Sequence, residues 1–236
     1  MKTGLDIRNL TVSYHRIPAV HHLSAHLEAG SCVGIIGPNG AGKTTLLKAI
    51  AGLLPVETGT VDTGRQPIAY VPQREAVDWD FPITVRALAE MGRYGALGPW
   101  RRFTDADHHV VDDALKVTEL ESLAGRQIKA LSGGQQQRAF LARALAQEAG
   151  VYLLDEPFNG LDANARHTFA GALARLCERG KLVLASHHDL ASVPELFDKV
   201  LILNGELVAC GPTAEAFNDA SLRAAFSTPV FAGTGS

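Results

Sequence analysis

The sequence predicts an α/β fold with a core built around a phosphate-binding loop, an antiparallel β subdomain near its start and an inserted helical subdomain. The first observation is that residues 37–44 (GPNGAGKT) fit G-x-x-x-x-G-K-[ST], between an apolar run, Cys32–Ile36, and a helical pattern. The second is a continuous apolar run, Val151–Leu154, which is typical of a buried parallel strand. The third is the helical spacing of apolar residues through much of 74–150. A chain of 236 residues is long enough for all three parts to form a single domain, residues 1–236.

The segment before residue 74 is expected to supply the β subdomain and the first part of the α/β core. Leu5–Tyr14 alternates apolar and polar residues, which indicates a strand, and residues 19–27 are expected to pair with it. The helix behind the phosphate loop is expected to run to about Leu54, because Pro55 then stops it. Residues 56–71 contain two Thr-Gly turn signals and therefore predict short strands.

The rest of the chain is predicted to form the helical subdomain and then the second part of the core. In the helical subdomain, residues 74–150, apolar spacing predicts helices over 85–91, 110–123 and 135–147. The core is predicted to resume over 151–227, with a helix over 163–179, a strand over 182–186, a hairpin over 200–210 and a last helix over 212–226. Residues 228–236 are expected to form a mobile tail.

Composition limits the classes of partner. The formal net charge is −3 and no polybasic stretch is present, so nucleic acid is not an expected partner. No apolar run approaches the roughly 20 residues of a membrane-spanning helix, and the N-terminus lacks the apolar stretch of a signal peptide. Any role at a membrane is therefore expected to come through a partner.

The phosphate-binding loop predicts a nucleoside triphosphate as ligand. Its glycines allow backbone N–H groups to converge on the phosphates, and the helix start behind them adds partial positive charge. Lys43 can then reach the β- and γ-phosphates, and Thr44 can place its hydroxyl on Mg²⁺. The residues expected to contact the nucleotide here are Gly37, Pro38, Asn39, Gly40, Ala41, Gly42, Lys43, Thr44 and Thr45.

Two carboxylates follow the apolar run that ends at Leu154. Asp155, at a strand end beside the phosphate loop, can hold Mg²⁺ directly or through water. Glu156 is then placed to act as a general base on the attacking water. Without a phosphate loop, the same pattern would indicate only a solvated acidic turn.

Residues 131–135 (LSGGQ) predict a second phosphate-binding helix start. Ser132 can cap the helix that follows, and the adjacent glycines allow a phosphate to approach its positive end. This helix start lies in a different part of the fold from the phosphate loop and cannot easily reach the same nucleotide. We therefore expect a nucleotide site shared between two copies of the chain.

In combination, these motifs resemble the ATPase subunit of the ATP-binding-cassette (ABC) transporters along nearly the whole chain. The resemblance implies a P-loop NTPase core of the ABC-ATPase type, with ATP and Mg²⁺ as ligands. It implies that Tyr14 stacks on adenine, and that Gln73 contacts Mg²⁺ and links catalysis to the membrane partner. Residues 131–135 match the family signature without substitution. Each ATP would thus be held between the phosphate loop of one copy and the signature residues Ser132, Gly133, Gly134 and Gln135 of the other.

The resemblance also assigns roles in two loops after the carboxylates. Asp162 ends the loop that crosses the dimer interface, where Asn159-Gly160 replaces the commoner Ser-Ala. Families of this kind carry His-Asp-Leu in the switch loop, so His188 is predicted to contact the γ-phosphate. The adjacent His187 remains an alternative for this role.

A finer resemblance is to the branch that imports manganese, zinc and iron or iron chelates. It depends on residues 71–82 and 91–95 and on the two adjacent histidines. The aromatic side chains of Trp79 and Phe81 lie where this family receives its membrane subunit; alternatively, they pack inside the helical subdomain. The resemblance implies a Mg-dependent ATPase at the cytoplasmic face of the membrane, bound to an integral-membrane permease and served indirectly by a substrate-binding protein. The alternative is a soluble ATPase of the same type in an assembly process.

Overall fold

The structure, a computed structural model, describes residues 4–14, 17–97 and 102–227. Its strands are β1 (Leu5–Tyr14), β2 (Ile17–Leu27), β3 (Cys32–Ile36), β4 (Thr58–Asp62), β5 (Ile68–Val71), β6 (Val151–Leu154), β7 (Leu182–His187), β8 (Lys199–Asn204) and β9 (Glu206–Pro212). Its helices are α1 (Lys43–Ile50), α2 (Val85–Glu90), α3 (Tyr94–Leu97), α4 (Asp105–Val117), α5 (Gly133–Ala146), α6 (Ala163–Glu178), α7 (Val193–Leu196), α8 (Thr213–Ala216) and α9 (Asp219–Phe226).

The strands form two sheets. Strands β2, β1 and β4 make a three-stranded antiparallel sheet in that order. The other six lie in the order β5-β6-β7-β3-β8-β9, parallel except for the β8–β9 hairpin. The helices between Val85 and Ala146 pack together beside this larger sheet. This architecture confirms the predicted fold class, while the subdomain boundaries near residues 74 and 150 remain predictions.

The central sheet is covered on both faces, which explains its continuous apolar runs. In β7, Leu182 and Leu184 pack with the small sheet and α1, whereas Val183 and Ala185 pack toward α5 and α6. The alternation follows from the two-residue period of a strand. Parallel strands end at the same edge of a sheet, so the loops after β3, β6 and β7 meet at one edge. The candidate site lies there.

The helix behind the phosphate loop ends earlier than predicted. It ends at Ile50 rather than near Leu54, because Gly52 takes a left-handed conformation with φ 71°. The Leu53 N–H then donates to the Lys48 carbonyl over 2.8 Å, a bond typical of helices that end in a glycine. Gly52 is therefore the stop signal, and Pro55 acts only after the helix has ended.

Two other helix predictions were wrong in their extent. The helix predicted over 110–123 spans Asp105–Val117, because Thr104 and Asp107 form a reciprocal capping box at its start. The single helix predicted over 212–226 is split into α8 and α9, since the Asn218 side chain accepts hydrogen bonds from Ala220 N–H and Ser221 N–H, both at 3.0 Å. The predicted tail, 228–236, lies outside the described residues. None of the described helices is long and apolar enough to cross a membrane.

Candidate nucleotide site

The loop of residues 37–44 runs from β3 into α1 and requires glycine at two positions. A Cβ atom at Gly37 would lie 2.0 Å from the Leu203 carbonyl oxygen, closer than any real contact. At Gly42, φ is 95° and a Cβ atom would lie 2.3 Å from the Ala19 carbonyl oxygen. Glycine therefore lets the loop fit closely between β2 and β8, with its backbone N–H groups near the start of α1.

Lys43 is buried at the start of α1. Its Nζ donates to the carbonyls of Gly37 at 2.7 Å and Pro38 at 2.9 Å, and the residue is only 7% exposed. Burial lowers the pKa of Lys43, while the charges of Glu156 and Asp155 act in the opposite direction. Both of these hydrogen bonds go to neutral carbonyls, and an anionic phosphate oxygen can replace a carbonyl with a stronger bond.

Asp155 lies at the centre of a polar cluster. Its Oδ1 accepts from Ser186 Oγ at 2.7 Å, Thr44 Oγ1 at 3.1 Å and Gln73 Nε2 at 3.3 Å. Its Oδ2 is buried with no hydrogen bond of standard geometry among the described residues, and the Tyr70 hydroxyl lies near this carboxylate: burial and then the Asp155 charge raise the pKa of Tyr70. An orphaned buried carboxylate oxygen beside a hydroxyl and a side-chain amide suits a hard cation with oxygen ligands. These three predicted metal residues, Asp155, Thr44 and Gln73, are brought together and fit Mg²⁺.

Glu156, the next residue, has an uncommon backbone conformation. Its φ is 50°, in the left-handed region, and its N–H donates to Ser186 Oγ at 2.8 Å. Its carboxylate Oε2 lies 3.7 Å from His188 Nδ1 and accepts from Asn159 Nδ2 at 3.4 Å. Strained residues of this kind cluster at functional sites. The end of β6 therefore directs the Asp155 carboxylate toward Thr44 and the Glu156 carboxylate toward His188.

The two adjacent histidines have opposite environments. The His188 side chain is 51% exposed and lies beside Glu156, and its contact with the γ-phosphate stays a prediction. His187 is 5% exposed, its ring packs among Phe158 and Phe197, and its Nε2 lies 2.8 Å from Ser192 Oγ. Burial and then the neighbouring His188 charge lower the pKa of His187 to about 4. Of the two alternatives, His188 is the exposed one and lies beside Glu156, while both rings border a second cavity of about 230 Å³.

A cavity of about 240 Å³ lies between the phosphate loop, Gln73 and Glu156. The residues around it include much of the predicted site: Ala19, Asn39, Gly40, Ala41, Gly42, Lys43, Thr44, Thr45, Gln73 and Glu156. Comparison with known proteins identifies this arrangement: a family model described as ABC transporter matches residues 20–159. The chain belongs to the ABC transporter family. The resemblance inferred from the motifs is thereby confirmed, and within the family the chain is an ATPase subunit.

Relatives within the ABC family cover almost the whole chain. A probable metal transport system ATP-binding protein of Chlamydia pneumoniae is 48% identical over 224 residues, covering 92% of this chain and 86% of that protein. The manganese transport system ATP-binding protein of Bacillus subtilis is 44% identical over 226 residues, covering 93% of this chain and 90% of that protein. The zinc transport system ATP-binding protein of Treponema pallidum is 44% identical over 230 residues, covering 94% of this chain and 86% of that protein.

Solved structures of ABC proteins have the same fold. An inward-facing, putative metal-chelate type ABC transporter superposes with a TM-score of 0.86 at 30% identity, covering 97% of this chain and 90% of that one. A bacterial ABC transporter cassette whose structure is dimeric superposes with a TM-score of 0.77 at 26% identity, covering 88% of this chain and 98% of that one.

The ABC signature residues are not among those lining the cavity. Ser132 caps α5, with its N–H bonded to Gln135 Oε1 at 3.0 Å and its Oγ accepting from Gln135 N–H at 3.4 Å. Gly133 and Gly134 form the first turn, where Gly134 borders Leu161. Asp162 is also outside the cavity lining; it caps α6 by accepting from Ala165 N–H at 2.8 Å. One protomer thus does not bring these residues to its own phosphate loop.

Tyr14 is the one predicted contact that cannot be placed. It ends β1, but its side chain lies outside the described residues. Two polar residues in the site were missed by sequence reasoning, Ser186 and Asn159. Ser186 directly precedes the two histidines, and a polar residue ending an apolar strand run is a usable signal. Asn159 was noted only as a departure from the family pattern.

Proposed function

We propose that this chain hydrolyses ATP between two of its own copies to power the import of a metal ion. The observation that carries the ATPase chemistry is the convergence of Thr44, Gln73 and Asp155 beside Lys43, with Glu156 on the same cavity. The observation that favours a metal cargo is that relatives at 44–48% identity are named as metal, manganese or zinc transport proteins. Manganese, zinc and iron or iron chelates are the proposed cargo class.

The proposed roles follow from charge and position. Lys43 would exchange its two carbonyl partners for β- and γ-phosphate oxygens. Thr44, Gln73 and Asp155 would hold Mg²⁺, which neutralises phosphate charge when bound. Glu156 would orient and deprotonate the attacking water, and His188 would contact the γ-phosphate.

A shared nucleotide site is supported by the size of the cavity. At about 240 Å³ it is below the 300–1,000 Å³ typical of ligand sites, so one protomer would enclose only part of an ATP molecule. The signature residues Ser132, Gly133, Gly134 and Gln135 and the interface residue Asp162 of a second copy would cover the rest. Tyr14 would stack on the adenine. Loss of the γ-phosphate would then separate the two copies.

The membrane partner would dock on the helical subdomain. Phe81, Met91 and Tyr94 are large apolar residues exposed there, with 55%, 42% and 58% of their surface accessible. Trp79 is half-buried instead and packs against the subdomain core, with its ring centroid 5.3 Å from that of Phe140. We propose an integral-membrane permease as this partner, with the chain at the cytoplasmic face and a substrate-binding protein acting indirectly through the permease.

The experiment is the elemental content of cells that carry Lys43→Ala in place of the wild type, grown under metal limitation. A selective fall in manganese, zinc or iron supports the proposal and identifies the cargo. Lys48→Ala, which changes a lysine one turn later on the same helix, is the matched control and should leave the content unchanged. Unchanged metal content in the Lys43→Ala cells would contradict a role in metal import.

A further inference from the structure

Ser186 occupies the last but one position of β7 and is fully buried, at 0% exposure. Its hydroxyl donates to Asp155 Oδ1 at 2.7 Å and accepts from the Glu156 N–H at 2.8 Å. A hydroxyl has one proton to donate, and here it goes to the carboxylate while a lone pair receives the amide. The Ser186 hydroxyl is thus hydrogen-bonded to two consecutive residues, Asp155 and Glu156, which both have proposed roles in ATP hydrolysis.

The first consequence concerns the orientation of the Asp155 carboxylate. Three donors share Oδ1, and Oδ2 is left without a partner among the described residues. Two of those donors, Thr44 and Gln73, belong to residues that would themselves turn toward Mg²⁺. Ser186 is held inside a central strand, and its hydrogen bond is the shortest of the three. It therefore fixes which oxygen is hydrogen-bonded within the protein and which one is left for the ion.

The second consequence concerns the backbone of Glu156. A non-glycine residue at φ 50° is unfavourable, so neighbouring contacts must hold it in place. The bond from the Glu156 N–H to Ser186 Oγ anchors the residue to the neighbouring strand at this turn. If the backbone relaxed, the carboxylate would leave its position 3.7 Å from His188.

We infer that Ser186 is a positioning residue for ATP hydrolysis: its hydroxyl holds the Asp155 carboxylate and the Glu156 backbone in the geometry that the reaction needs. The inference rests on the proposed roles of those two residues. Ser186 is fully buried and does not line the cavity beside the phosphate loop, so it would act through its two neighbours and not by contact with the nucleotide. Its removal should therefore slow turnover and weaken cation binding without weakening the binding of ATP itself.

The test compares Ser186→Thr with Ser186→Val in the purified full-length chain. These two side chains have nearly the same shape, so any crowding by the added methyl group is shared, and only threonine keeps the hydroxyl. We expect the valine variant to lose about tenfold in kcat relative to the threonine variant, the scale of one hydrogen bond to a charged group. The KM for ATP should stay within about twofold, because the phosphate loop is unchanged.

A second readout does not depend on turnover. Mn²⁺ can replace Mg²⁺ as a spectroscopic probe, and its affinity in the presence of a non-hydrolysable ATP analogue should fall about tenfold in Ser186→Val but not in Ser186→Thr. Thr118→Val removes another buried hydroxyl, which bonds the Ala114 carbonyl at 2.9 Å in the helical subdomain. It controls for destabilisation alone and should leave both kcat and Mn²⁺ affinity unchanged.

Different results would contradict the role of Ser186 and the proposed function. Equal kcat and equal Mn²⁺ affinity in the threonine and valine variants would overturn the role of Ser186. If both variants fail to fold, Ser186→Ala against wild type gives the same comparison without added volume. A Glu156→Gln protein that hydrolyses ATP as fast as wild type would instead overturn the proposed function on which the inference rests.

Discussion

The Nδ1 atom of His188 lies 3.7 Å from Oε2 of Glu156, at the edge of the cavity that the phosphate loop borders. The ring of the preceding residue, His187, lies 6.0 Å from the His188 ring between centroids, but it is buried against Phe158 and Phe197 and its Nε2 contacts Ser192 Oγ. Burial thus distinguishes two adjacent histidines that share the same sequence motif. One faces solvent and a carboxylate, and the other is enclosed by aromatic rings.

This separation predicts different effects for the two histidines. His188→Ala should lower ATP turnover by about 10²-fold or more, because a group that contacts the reacting phosphate is lost. His187→Gln should retain most of the activity, since the amide can still donate to Ser192. Steady-state ATPase assays of both variants test this. A larger loss of kcat in His187→Gln than in His188→Ala would contradict the assignment of the phosphate contact to His188.

The buried His187 also predicts a dependence of stability on pH. Its pKa is lowered from 6.5 to about 4, first by burial and then by the His188 charge. Between those values the unfolded chain binds a proton that the folded chain does not, so the free energy of unfolding falls as pH falls from 6.5 to 4. We expect this group to contribute about 2 kcal/mol to that fall.

Urea unfolding of wild type and His187→Gln at pH 7 and pH 4.5 measures this contribution. Glutamine does not titrate, so the wild type should lose more stability between the two pH values than the variant does. Other groups that titrate in this range are common to both proteins and cancel in the comparison. Equal losses would show that His187 is not the group responsible.

Lys43 and Lys48 provide a matched pair on one helix. Lys43→Ala should weaken ATP binding about 10–100-fold, because a charge-assisted bond to phosphate is lost. Lys48→Ala removes an equal charge at the other end of the same short helix and should bind ATP like the wild type. Calorimetric titration of both variants with ATP and Mg²⁺ is the measurement. An unchanged affinity in Lys43→Ala would refute the placement of the triphosphate in this loop.

Glu156→Gln separates binding from hydrolysis. Glutamine keeps the size of the side chain and can retain the contact with Asn159, but it cannot accept a proton from water. ATP affinity should therefore be preserved while turnover falls about 10²-fold or more. If ATP holds two copies together, the variant should accumulate as a dimer at saturating ATP and Mg²⁺. Light scattering that shows only monomer under these conditions would count against the shared site.

The parts of the site that the sequence predicts are those in which one short segment supplies both the chemistry and its geometry. Residues 37–44 are an example: a strand, glycines and a helix start, all contiguous, place Lys43 and Thr44 together. Asp155 and Glu156 were predicted for the same reason, because they follow a buried strand. The sequence also predicts the fold class, since the apolar runs Cys32–Ile36 and Val151–Leu154 indicate strands that are covered on both faces.

What the sequence did not predict depends on contacts between distant segments or on backbone conformation. Ser186 matters only because β6 and β7 pair in parallel and bring it beside Asp155, 31 positions earlier. The left-handed φ of Glu156 has no local sequence signal, because glutamate rarely adopts it. The break between α8 and α9 depends on the Asn218 side chain, which competes with the helical backbone.

Gly134 gives the sharpest test of a site shared between two copies. A Cβ atom there would meet Leu161 and Ala165 at 3.5 Å, an ordinary contact, so the protomer can accept a side chain at this position. Gly134→Asp should therefore fold normally and bind ATP at its own phosphate loop. In the dimer, however, the new carboxylate would face the γ-phosphate of the partner copy, where like charges repel.

The expected result is loss of ATP-dependent dimerisation when Gly134→Asp is combined with Glu156→Gln, with ATP affinity of the monomer retained. Gly171→Asp is the matched control, because it places the same charge on α6, where a Cβ atom meets nothing within 4 Å. That control should still dimerise. A Gly134→Asp protein that dimerises as well as the control would mean that the start of α5 does not contact the nucleotide of a second copy. The phosphate loop would then have to bind ATP within one protomer.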